Sequence, residues 1–516
     1  MKLSQLLAGV ALREALTPEL KDLEVTGLEY DSRRVEKGFL FFAFAGSRVD
    51  GRQFAQDALA RGALAVVSEL PRPVDFAGAW IEVEHGRRAL AAAANTFYQH
   101  PDGRVLFTGI TGTNGKTTTA YLIETLLRAA GKVTGLIGTI EYRLAGEIRP
   151  SLNTTPESLD VLRFAAELAA RGGTHLVTEV SSHALALGRV YGFRFHTAVF
   201  TNLTRDHLDF HGTMEDYGAA KRLLFISPNR GQPGPQWAVL NADDPVSKTM
   251  EPEDAGSRTI WYGLTDRAGL RAENIVSGFT GLTFDVTWKG HTGEGSGRRA
   301  KVESPLLGRV NVSNILAALG AGLSYGLDLE SMAGSVPLCR AVPGRFEPVT
   351  STMAQGQGFL VAVDYAHTDD ALRNAIQTAR SLSKGKVITL FGCGGDRDRT
   401  KRPLMGMAAA ELSDFVVLTS DNPRSEDPLS IMNDVMVGLR RFDTRHVAEP
   451  DRGKAIQLAI QQAQPGDVVL LAGKGHETYQ VLKDRTIHFD DRETAREVLR
   501  SFGYKDPGGN RSPKAE

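Results

Sequence analysis

A glycine-rich turn followed by lysine and threonine is the first stretch whose residue types and spacing could do chemistry. The segment FTGITGTNGKTTTAYLIETLL has the pattern of a strand, a tight turn and an amphipathic helix. Gly112 and Gly115 would let backbone N–H groups approach phosphates, Lys116 would reach the outer phosphates and the Thr117 hydroxyl would hold Mg²⁺. The strict phosphate-loop spacing is missed by one residue, because Gly109 stands one step too early. A chance glycine-rich turn is the alternative, and the flanking strand and helix weigh against it.

Side chains suited to a metal ion follow two later strand-like segments. Glu179 ends the run HLVTE, and Asp206 and His207 follow VFTNLTR. Because parallel sheets gather ligands at the carboxyl ends of their strands, these residues and the phosphate loop would share one edge and suit a nucleotide-bound Mg²⁺. Taken singly, Glu179 is more often a buried ion-pair partner and His207 a structural histidine. Lys221, in MEDYGAAKRLLF, has the ordinary interpretation of a surface lysine.

Three loops towards the C-terminus also follow apolar strand-like runs. GCGGDRD follows KVITLF, DNPR follows DFVVLT, and GKGHE follows VVLLA. If these strands are parallel, Arg397, Asn422, Arg424 and Glu477 converge at one edge. Two guanidiniums and a carboxylate suit a zwitterion, with guanidinium for carboxylate and carboxylate for ammonium. For DNPR alone, a solvated turn with a salt bridge is the simpler interpretation.

The elements that must position these residues alternate between strand and helix patterns along most of the chain. This alternation predicts an α/β fold with parallel sheets. At ~100–200 residues per domain, 516 residues predict about three domains. Boundaries at YQHPDGR, where Pro101-Asp102-Gly103 is a plausible linker, and at RAVPGRFEPV give the domains 1–100, 101–338 and 339–516, with residues 505–516 forming a disordered tail.

Composition narrows the class of protein further. The net charge of -1 provides no electrostatic footprint for nucleic acid or an anionic membrane. The chain has 42% hydrophobic residues, and no apolar run is long enough to span a bilayer. Its two cysteines argue against a disulfide framework and for a reducing cytosol. We therefore expect a cytoplasmic globular protein without nucleic-acid or membrane partners.

Taken together, these motifs resemble the Mur ligases, ATP-dependent amide-bond-forming enzymes of peptidoglycan synthesis. The resemblance rests on TGTNGKTT, EVSSHAL, NLTRDHLDFHG and AAKRLLF, and then on LLGRVNVSNILAAL, VPGRFE, DYAHTDDAL, GCGGDRDRTKRPLM, DNPR and AGKGHE. The later segments look like the members that add the third amino acid to UDP-MurNAc-L-Ala-D-Glu. The resemblance implies a first domain for the UDP-sugar, a central P-loop-type ATPase domain with a parallel sheet, and a Rossmann-like C-terminal domain for the amino acid.

The resemblance also implies site residues, carried over motif by motif. The implied ATP contacts are Gly112, Thr113, Asn114, Gly115, Lys116, Thr117, Thr118, Asn314, Arg345, Asp364 and His367. The implied UDP-substrate contacts are Tyr30, Ser32, Ser47, Arg48, Val49, Asn153, Thr154, Thr155, Ser181 and Arg189. The implied amino-acid contacts are Arg397, Asp421, Asn422, Pro423, Arg424, Gly473 and Glu477. Leu187 stands where the family often has glutamine, and Asp369 where proline is usual.

In the family, the lysine that matches Lys221 is carbamylated by CO₂. The implied catalytic set is Lys116, Glu179, His207 and Lys221, and the implied metal ligands are Thr117, Glu179, His207 and carbamylated Lys221, with two Mg²⁺ ions. Because carbamylation needs a neutral amine, the surroundings must lower the pKa of that lysine.

The implied reaction activates the D-Glu γ-carboxylate with ATP, and the acyl phosphate then reacts with the amine of the third amino acid. We expect a monomer that closes around its substrates before chemistry. The extra carboxylate of meso-diaminopimelate would face Arg424, so we predict this amino acid rather than lysine. The alternatives are a lysine-adding or other Mur ligase, a folylpolyglutamate synthase, and a non-enzymatic nucleotide switch.

Overall fold

The computed structural model describes residues 1–46, 49–226, 234–290, 297–339, 341–349 and 357–504. Three main sheets follow one another along these residues. We call residues 1–97 the N-terminal unit, 104–339 the central unit and 341–504 the C-terminal unit.

The N-terminal unit is built on a small parallel sheet with the order β1-β2-β3-β4. Its strands are β1 (Gly27–Glu29), β2 (Phe39–Phe42), β3 (Ala65–Ser68) and β4 (Trp80–Glu82), and its helices are α1 (Leu3–Leu6), α2 (Pro18–Lys21), α3 (Ala55–Ala60) and α4 (Gly86–Phe97). Short 3-10 helices lie at Ser32–Arg34 and Gly51–Phe54.

The central unit contains an 11-stranded sheet whose middle is parallel, in the order β12-β11-β10-β5-β9-β6. The strands are β5 (Leu106–Thr111), β6 (Thr134–Ile137), β7 (Glu141–Leu144), β8 (Glu147–Pro150), β9 (His175–Glu179), β10 (Phe195–Phe200), β11 (Trp237–Asn241), β12 (Arg258–Gly263), β13 (Leu270–Gly278), β14 (Gly281–Trp288) and β15 (Arg298–Ser304). The helices are α5 (Lys116–Ala129), α6 (Ser158–Ala170), α7 (Ser182–Ala186), α8 (Leu208–His211), α9 (Met214–Arg222), α10 (Val310–Ser324) and α11 (Leu329–Ser335). Strands β7 and β8 at one end, and β14 and β15 at the other, pair antiparallel.

The C-terminal unit has a six-stranded sheet with the order β16-β17-β21-β18-β19-β20, parallel except for β16. Its strands are β16 (Glu347–Pro348), β17 (Leu360–Asp364), β18 (Val387–Phe391), β19 (Phe415–Leu418), β20 (Arg445–Ala448) and β21 (Val468–Ala472), followed by the hairpin of β22 (Tyr479–Val481) and β23 (Thr486–His488). Its helices are α12 (Asp369–Leu382), α13 (Lys401–Leu412), α14 (Pro428–Leu439), α15 (Arg452–Gln461) and α16 (Asp491–Ser501).

Core packing follows the two-residue repeat of the buried strands. In β9, Leu176 packs into the apolar layer that contains α6, whereas its neighbour Val177 packs into the layer that contains α5 and α10. Because successive strand residues point to opposite faces, a strand covered by helices on both sides must be apolar throughout. The run HLVTE has this composition, and all five of its residues are buried.

The predicted α/β class with parallel sheets is confirmed. Strands lie where RVLFTGI, THLVTEV, KVITLF, DFVVLT and DVVLLAG predict them, and α14 begins at the predicted Pro428. The segment predicted to be a linker, Pro101–Gly103, forms a 3-10 turn. In this turn Asp102 is buried and accepts hydrogen bonds from Asn95 and Arg194. The proposed disordered tail, 505–516, lies outside the described residues. Among the described residues, each helix is too short or too polar to cross a membrane.

Candidate active site

The glycine-rich turn joins the carboxyl end of β5 to the first residue of α5, which begins at Lys116. Gly112 has φ 144°, and a Cβ there would lie 1.8 Å from Thr201 Oγ1. Gly115 has φ 87°, and its Cβ would lie 2.4 Å from Asn314 Oδ1. Both positions therefore require glycine, and the resulting cradle of backbone N–H groups at a helix N-terminus has the form of a phosphate site.

Glu179 lies at the carboxyl end of β9 and faces this turn. Its Oε2 accepts hydrogen bonds from the hydroxyls of Thr117 at 2.9 Å and Thr139 at 3.2 Å, and its Oε1 accepts one from the Thr139 backbone N–H at 2.8 Å. Within the part of the chain that the structure describes, Glu179 makes no ion pair, and its side chain instead accepts from hydroxyl and amide groups. A carboxylate and a threonine hydroxyl held together in this way are ligands that Mg²⁺ accepts.

Lys221 is buried with only 1% of its surface exposed, which contradicts its interpretation as a surface lysine. Its Nζ donates to the backbone oxygen of Gly112 at 2.9 Å and lies 4.3 Å from the centre of the Tyr217 ring. Burial, reinforced by repulsion from nearby Lys116, lowers the pKa of Lys221 well below its usual value. The lowered pKa favours the neutral amine that carbamylation needs.

His207 is the N-cap residue of α8 and has a left-handed backbone conformation with φ 53°. Its Nε2 lies 3.4 Å from Asp206 Oδ2, and its ring packs 4.8 Å from that of His183. Burial lowers the pKa of His207 to about 4 despite the opposing charge of Asp206. The imidazole is therefore neutral near pH 7, which is the form that binds metal ions.

The residues of this edge fit a hard divalent cation in type. Among the described residues, no three His, Cys, Asp or Glu side chains lie close enough together to hold a metal by themselves. Thr117 and Glu179 supply oxygens in direct contact, and His207 supplies a neutral nitrogen. A carbamate on Lys221 would add two further anionic oxygens to this incomplete set.

The outlying residues of the implied ATP set come from two units. Asn314 on α10 is buried and donates to Asn311 Oδ1 at 2.8 Å. Arg345, from the C-terminal unit, donates through Nη2 to Thr117 Oγ1 at 3.3 Å. Asp364 accepts a hydrogen bond from the Phe346 backbone N–H at 2.8 Å, and His367 Nδ1 lies 2.9 Å from the Tyr365 backbone oxygen. Of these three C-terminal residues, Arg345 makes a hydrogen bond to the phosphate loop in the part of the chain that the structure describes. Thr113 and Asn114 lie in the turn itself, and Thr118 is buried in the first turn of α5.

The implied uridine segment lies where the N-terminal unit meets α6. Tyr30 donates to Asp160 Oδ2 at 2.5 Å, and its ring lies against Phe44. Ser32 is buried at the start of its 3-10 helix, and Val49 is exposed. Ser47 and Arg48 lie outside the described residues.

The remaining substrate-type residues gather beside Glu179. Thr155 Oγ1 donates to the Glu179 backbone oxygen at 2.9 Å and accepts from the Ser181 backbone N–H at 3.0 Å. Arg189 donates to the Thr155 backbone oxygen and to Glu157 Oε1, both at 3.0 Å. Thr154 Oγ1 lies 3.0 Å from Thr139 Oγ1, and exposed Asn153 bonds Tyr142 through its backbone. Leu187, at the departure from the family pattern, caps α7 between Ser181 and Arg189.

The three C-terminal loops open on one edge of their sheet, after β18, β19 and β21. Asn422 Nδ2 donates to Glu477 Oε2 at 2.8 Å. Lys474, in the GKGHE loop, is fully buried, and its Nζ is 3.4 Å from both Asp421 Oδ1 and Glu477 Oε2. Gly473, with φ 113°, brings its loop against Asp421.

Among the described residues, no carboxylate lies within ion-pair distance of Arg424. Its Nη1 donates to the backbone oxygens of Gly395 at 2.8 Å and Asn422 at 3.4 Å, and its backbone has the left-handed φ of 53°. The backbone oxygen of Pro423 packs so closely on Gly395 that a Cβ there would lie 1.9 Å away. Arg397 is exposed, and its Cγ would lie 3.8 Å from a Cβ at Gly394, the residue before Gly395. The side chains of Arg397 and Arg424 thus both lie beside Gly394.

A buried ion pair supports these loops from beneath. Arg452 and Asp491, the first residues of α15 and α16, are both fully buried and make two hydrogen bonds of 2.7 and 2.6 Å. Arg452 also donates to the backbone oxygens of Ser420 at 3.4 Å and Ala472 at 3.1 Å. These carbonyls precede the DNPR and GKGHE loops, so one guanidinium fixes the starts of both.

Several residues of the site carry no signal that their types and spacing alone would reveal. They include Thr139, which binds Glu179; Tyr217, which lies beside Lys221; Asp370 on α12; and Arg87, which shares Glu157 with Arg189. Lys474 could have been found, since it lies within the GKGHE motif.

The chain matches three family descriptions in order: "Mur ligase family, catalytic domain" over residues 24–98, "Mur ligase middle domain" over 110–322, and "Mur ligase, glutamate ligase domain" over 344–475. It is 62% identical over 504 residues to the UDP-N-acetylmuramoyl-L-alanyl-D-glutamate--2,6-diaminopimelate ligase of Solibacter usitatus, covering 98% of this chain and 99% of the relative. It is 47% identical over 482 residues to the protein of the same name from Geobacillus kaustophilus, covering 93% and 96%.

A solved structure with that name also matches the fold. It has a TM-score of 0.67 and 33% identity, and the match covers 98% of this chain and 100% of the solved one. Near-complete coverage in both directions means that all three units are shared, not the nucleotide-binding core alone. The chain therefore belongs to the Mur ligase family.

Proposed function

We propose that the protein is an ATP-dependent ligase that joins meso-diaminopimelate to the D-Glu γ-carboxylate of UDP-MurNAc-L-Ala-D-Glu. The observation that carries this proposal is the position of Arg345. Its guanidinium donates to Thr117 in the phosphate loop and lies 5.0 Å from the Tyr365 ring, which packs 4.9 Å from the ring of His476. Because His476 precedes Glu477, this chain of contacts links the phosphate loop to the proposed amino-acid loops, which supports a ligase.

The three units divide the substrates between them in this proposal. Residues 1–100 would bind the UDP-sugar, 101–338 would bind ATP, and 339–516 would bind the amino acid. The side chains near Thr155 and Arg189 would hold the peptide end of the UDP-substrate beside Glu179. In this proposal the γ-carboxylate of D-Glu would lie near the phosphate loop.

The reaction has two steps. An oxygen of the γ-carboxylate attacks the γ-phosphorus of ATP, the bond from that phosphorus to the bridging oxygen breaks, and ADP leaves. The amine of diaminopimelate then attacks the carbonyl carbon of the acyl phosphate. The tetrahedral intermediate expels inorganic phosphate as the nitrogen loses its proton. The products are UDP-MurNAc-tripeptide, ADP and phosphate.

Two anions meet in the first step, so the site must supply positive charge and position. Lys116 Nζ donates to the backbone oxygens of Gly112 and Thr113 at 2.7 and 2.8 Å, which holds it over the phosphate cradle. Thr117, Glu179, His207 and carbamylated Lys221 would hold Mg²⁺, and we propose two ions. Bound Mg²⁺ neutralises charge on the phosphates and carboxylate.

Arg424 would select diaminopimelate by binding its distal carboxylate. The guanidinium now donates to two backbone oxygens and keeps further N–H groups for a planar acceptor. Glu477 and Asn422 would face an ammonium group on the same edge. Lysine lacks the distal carboxylate and would leave Arg424 without this partner.

The names of the relatives favour this activity over the alternatives. Both relatives and the solved structure are named as diaminopimelate ligases, so a lysine-adding ligase, another Mur ligase and a folylpolyglutamate synthase are not favoured. A nucleotide switch would need no amino-acid loops beside its phosphate loop. We further propose that the enzyme acts as a cytoplasmic monomer in cell-wall biogenesis, and so in cell shape and division.

One assay tests the proposal. Purified protein is incubated with UDP-MurNAc-L-Ala-D-Glu, ATP, Mg²⁺ and either meso-diaminopimelate or lysine, and the product mass is measured. We expect a tripeptide with diaminopimelate and ADP release that depends on both the UDP-substrate and the amino acid. Tripeptide formation with lysine but not with diaminopimelate would overturn the proposal, and so would ADP release that does not depend on the amino acid.

A further inference from the structure

Asp370 carries a carboxylate from the C-terminal unit to the phosphate loop of the central unit. Its Oδ2 accepts hydrogen bonds from Thr204 Oγ1 at 2.7 Å and from Asn114 Nδ2 at 3.3 Å. Asp370 lies in the first turn of α12, where Thr368 caps the helix and a negative charge is favourable. The contact therefore joins a rigid helix start to the turn that would bind ATP.

The two donors are already fixed through their backbones. The Asn114 backbone N–H donates to Asn202 Oδ1 at 2.9 Å, and the Thr204 backbone N–H donates to Thr113 Oγ1 at 3.0 Å. The amide and hydroxyl side chains are thus held by one loop assembly and both reach Asp370. A charged acceptor shared by two preorganised donors is stronger than a neutral contact.

Two other contacts cross the same boundary nearby. Arg345 donates to Thr117, and Lys401 at the start of α13 lies 3.9 Å from Asp206 Oδ1. The central-unit partners are a phosphate-loop hydroxyl and the carboxylate beside His207. The C-terminal unit therefore rests on the nucleotide end of the site at three points, of which Asp370 makes the shortest contact.

We propose that Asp370 is a positioning residue that couples the seating of the C-terminal unit to the conformation of the phosphate loop. This inference rests on the proposed ligase function and adds a residue that would act through Asn114 and Thr204. Without the carboxylate, the amino-acid loops keep their own geometry but are held less firmly against the phosphate loop. The expected signature is a lower kcat and a higher KM for ATP, with the KM for diaminopimelate unchanged.

The test compares Asp370→Ala, Asp370→Asn and Thr204→Val with the unaltered protein in the ligase assay. We expect Asp370→Ala to lower kcat about tenfold, the effect of losing a charged hydrogen bond. Asp370→Asn keeps an acceptor oxygen and should recover most of the rate. Arg373 lies on the same helix as Asp370 and makes an exposed ion pair with Glu411 on α13, so Arg373→Ala serves as the control and should leave kcat unchanged.

Coupling separates positioning from a merely structural role. Thr204→Val by itself should also lower kcat. The double variant with Asp370→Ala should be no slower than the slower of the two single variants. A kcat within twofold of the unaltered protein in Asp370→Ala or in Thr204→Val, or single effects that multiply, would overturn the inference. If Asp370→Ala does not fold, the kcat of Thr204→Val decides the question by the same criterion. If the unaltered protein makes no tripeptide, the proposed function itself fails.

Discussion

Lys116 and Lys221 donate hydrogen bonds to one acceptor, the backbone oxygen of Gly112, at 2.7 and 2.9 Å. Two ammonium groups this close repel each other, and burial of Lys221 adds to the cost of its charge. The repulsion disappears when Lys221 is neutral. It becomes an attraction when Lys221 carries an anionic carbamate, which would face the ammonium of Lys116.

The first prediction follows from this pair. Lys221→Arg keeps a cation that cannot be carbamylated, so we expect ligase activity to fall at least about 100-fold, a loss of ~3 kcal/mol in transition-state stabilisation. The unaltered protein with ¹³C-bicarbonate should give a carbamate NMR signal that the variant lacks. Lys248→Arg, at an exposed position, is the control. A carbamate signal that persists in Lys221→Arg would contradict the assignment.

Gly112→Ala should abolish ATP binding. Its Cβ would lie 1.8 Å from Thr201 Oγ1 and 3.0 Å from the Asn202 backbone nitrogen, so the turn must open. Gly131→Ala is the matched control, because Gly131 also has a positive φ, 75°, but a Cβ there meets nothing within 4 Å. We expect the control to cost about 1 kcal/mol of stability and to bind ATP normally, as measured by calorimetry. Normal ATP affinity in Gly112→Ala would contradict the role of this turn in binding phosphate.

Arg424 is expected to set the preference for diaminopimelate over lysine. Arg424→Lys loses the bidentate contact, and kcat/KM for diaminopimelate should fall on the order of 100-fold while the low rate with lysine changes little. Arg424→Asn removes the charge but suits the left-handed backbone. A loss of activity in this variant therefore comes from the missing guanidinium and not from backbone strain. Unchanged discrimination in both variants would count against the role.

The buried pair of Arg452 and Asp491 should matter for stability and for the amino-acid site. Arg452→Met leaves the Asp491 carboxylate buried and unpaired, which should cost roughly 3–5 kcal/mol in the free energy of unfolding. The double variant Arg452→Met/Asp491→Leu should recover much of that stability, yet its KM for diaminopimelate should stay raised. The reason is that the Ser420 and Ala472 carbonyls have lost their shared donor. Urea unfolding and substrate kinetics measure the two effects, and a normal KM in the double variant would contradict the second.

Stability should fall as the pH drops from about 6.5 towards 4. Burial lowers the pKa of His175 to about 4, with Lys132 and His196 lowering it further. In this window the unfolded chain binds a proton at His175 that the folded chain does not, so acid favours unfolding. His175→Phe should flatten the decline of Tm with falling pH relative to the unaltered protein. An identical pH dependence in the two proteins would show that His175 does not contribute.

Sequence patterns predict the parts of the site that depend on local structure. The strand–turn–helix at Lys116 and the three loops after β18, β19 and β21 follow from apolar runs, glycines and parallel topology. Contacts such as Thr139 with Glu179, and Asp370 with Asn114, join residues far apart in the chain. They depend on how the units pack, and no periodicity encodes them. The burial of Lys221 belongs to this second group, since its helix alone is equally consistent with a surface position.

The left-handed backbone at Arg424 has a consequence for how this site can change over generations. The loop geometry favours asparagine or glycine at that position, whereas the proposed substrate favours arginine. The two demands act on different atoms of one residue and oppose each other. Replacing Arg424 by asparagine or glycine would remove the guanidinium and relax the turn in the same step. Selection for the substrate must therefore continually outweigh selection for the fold. Relatives that have changed their amino acid should therefore carry a small or amide side chain here rather than a neutral residue of arginine's size.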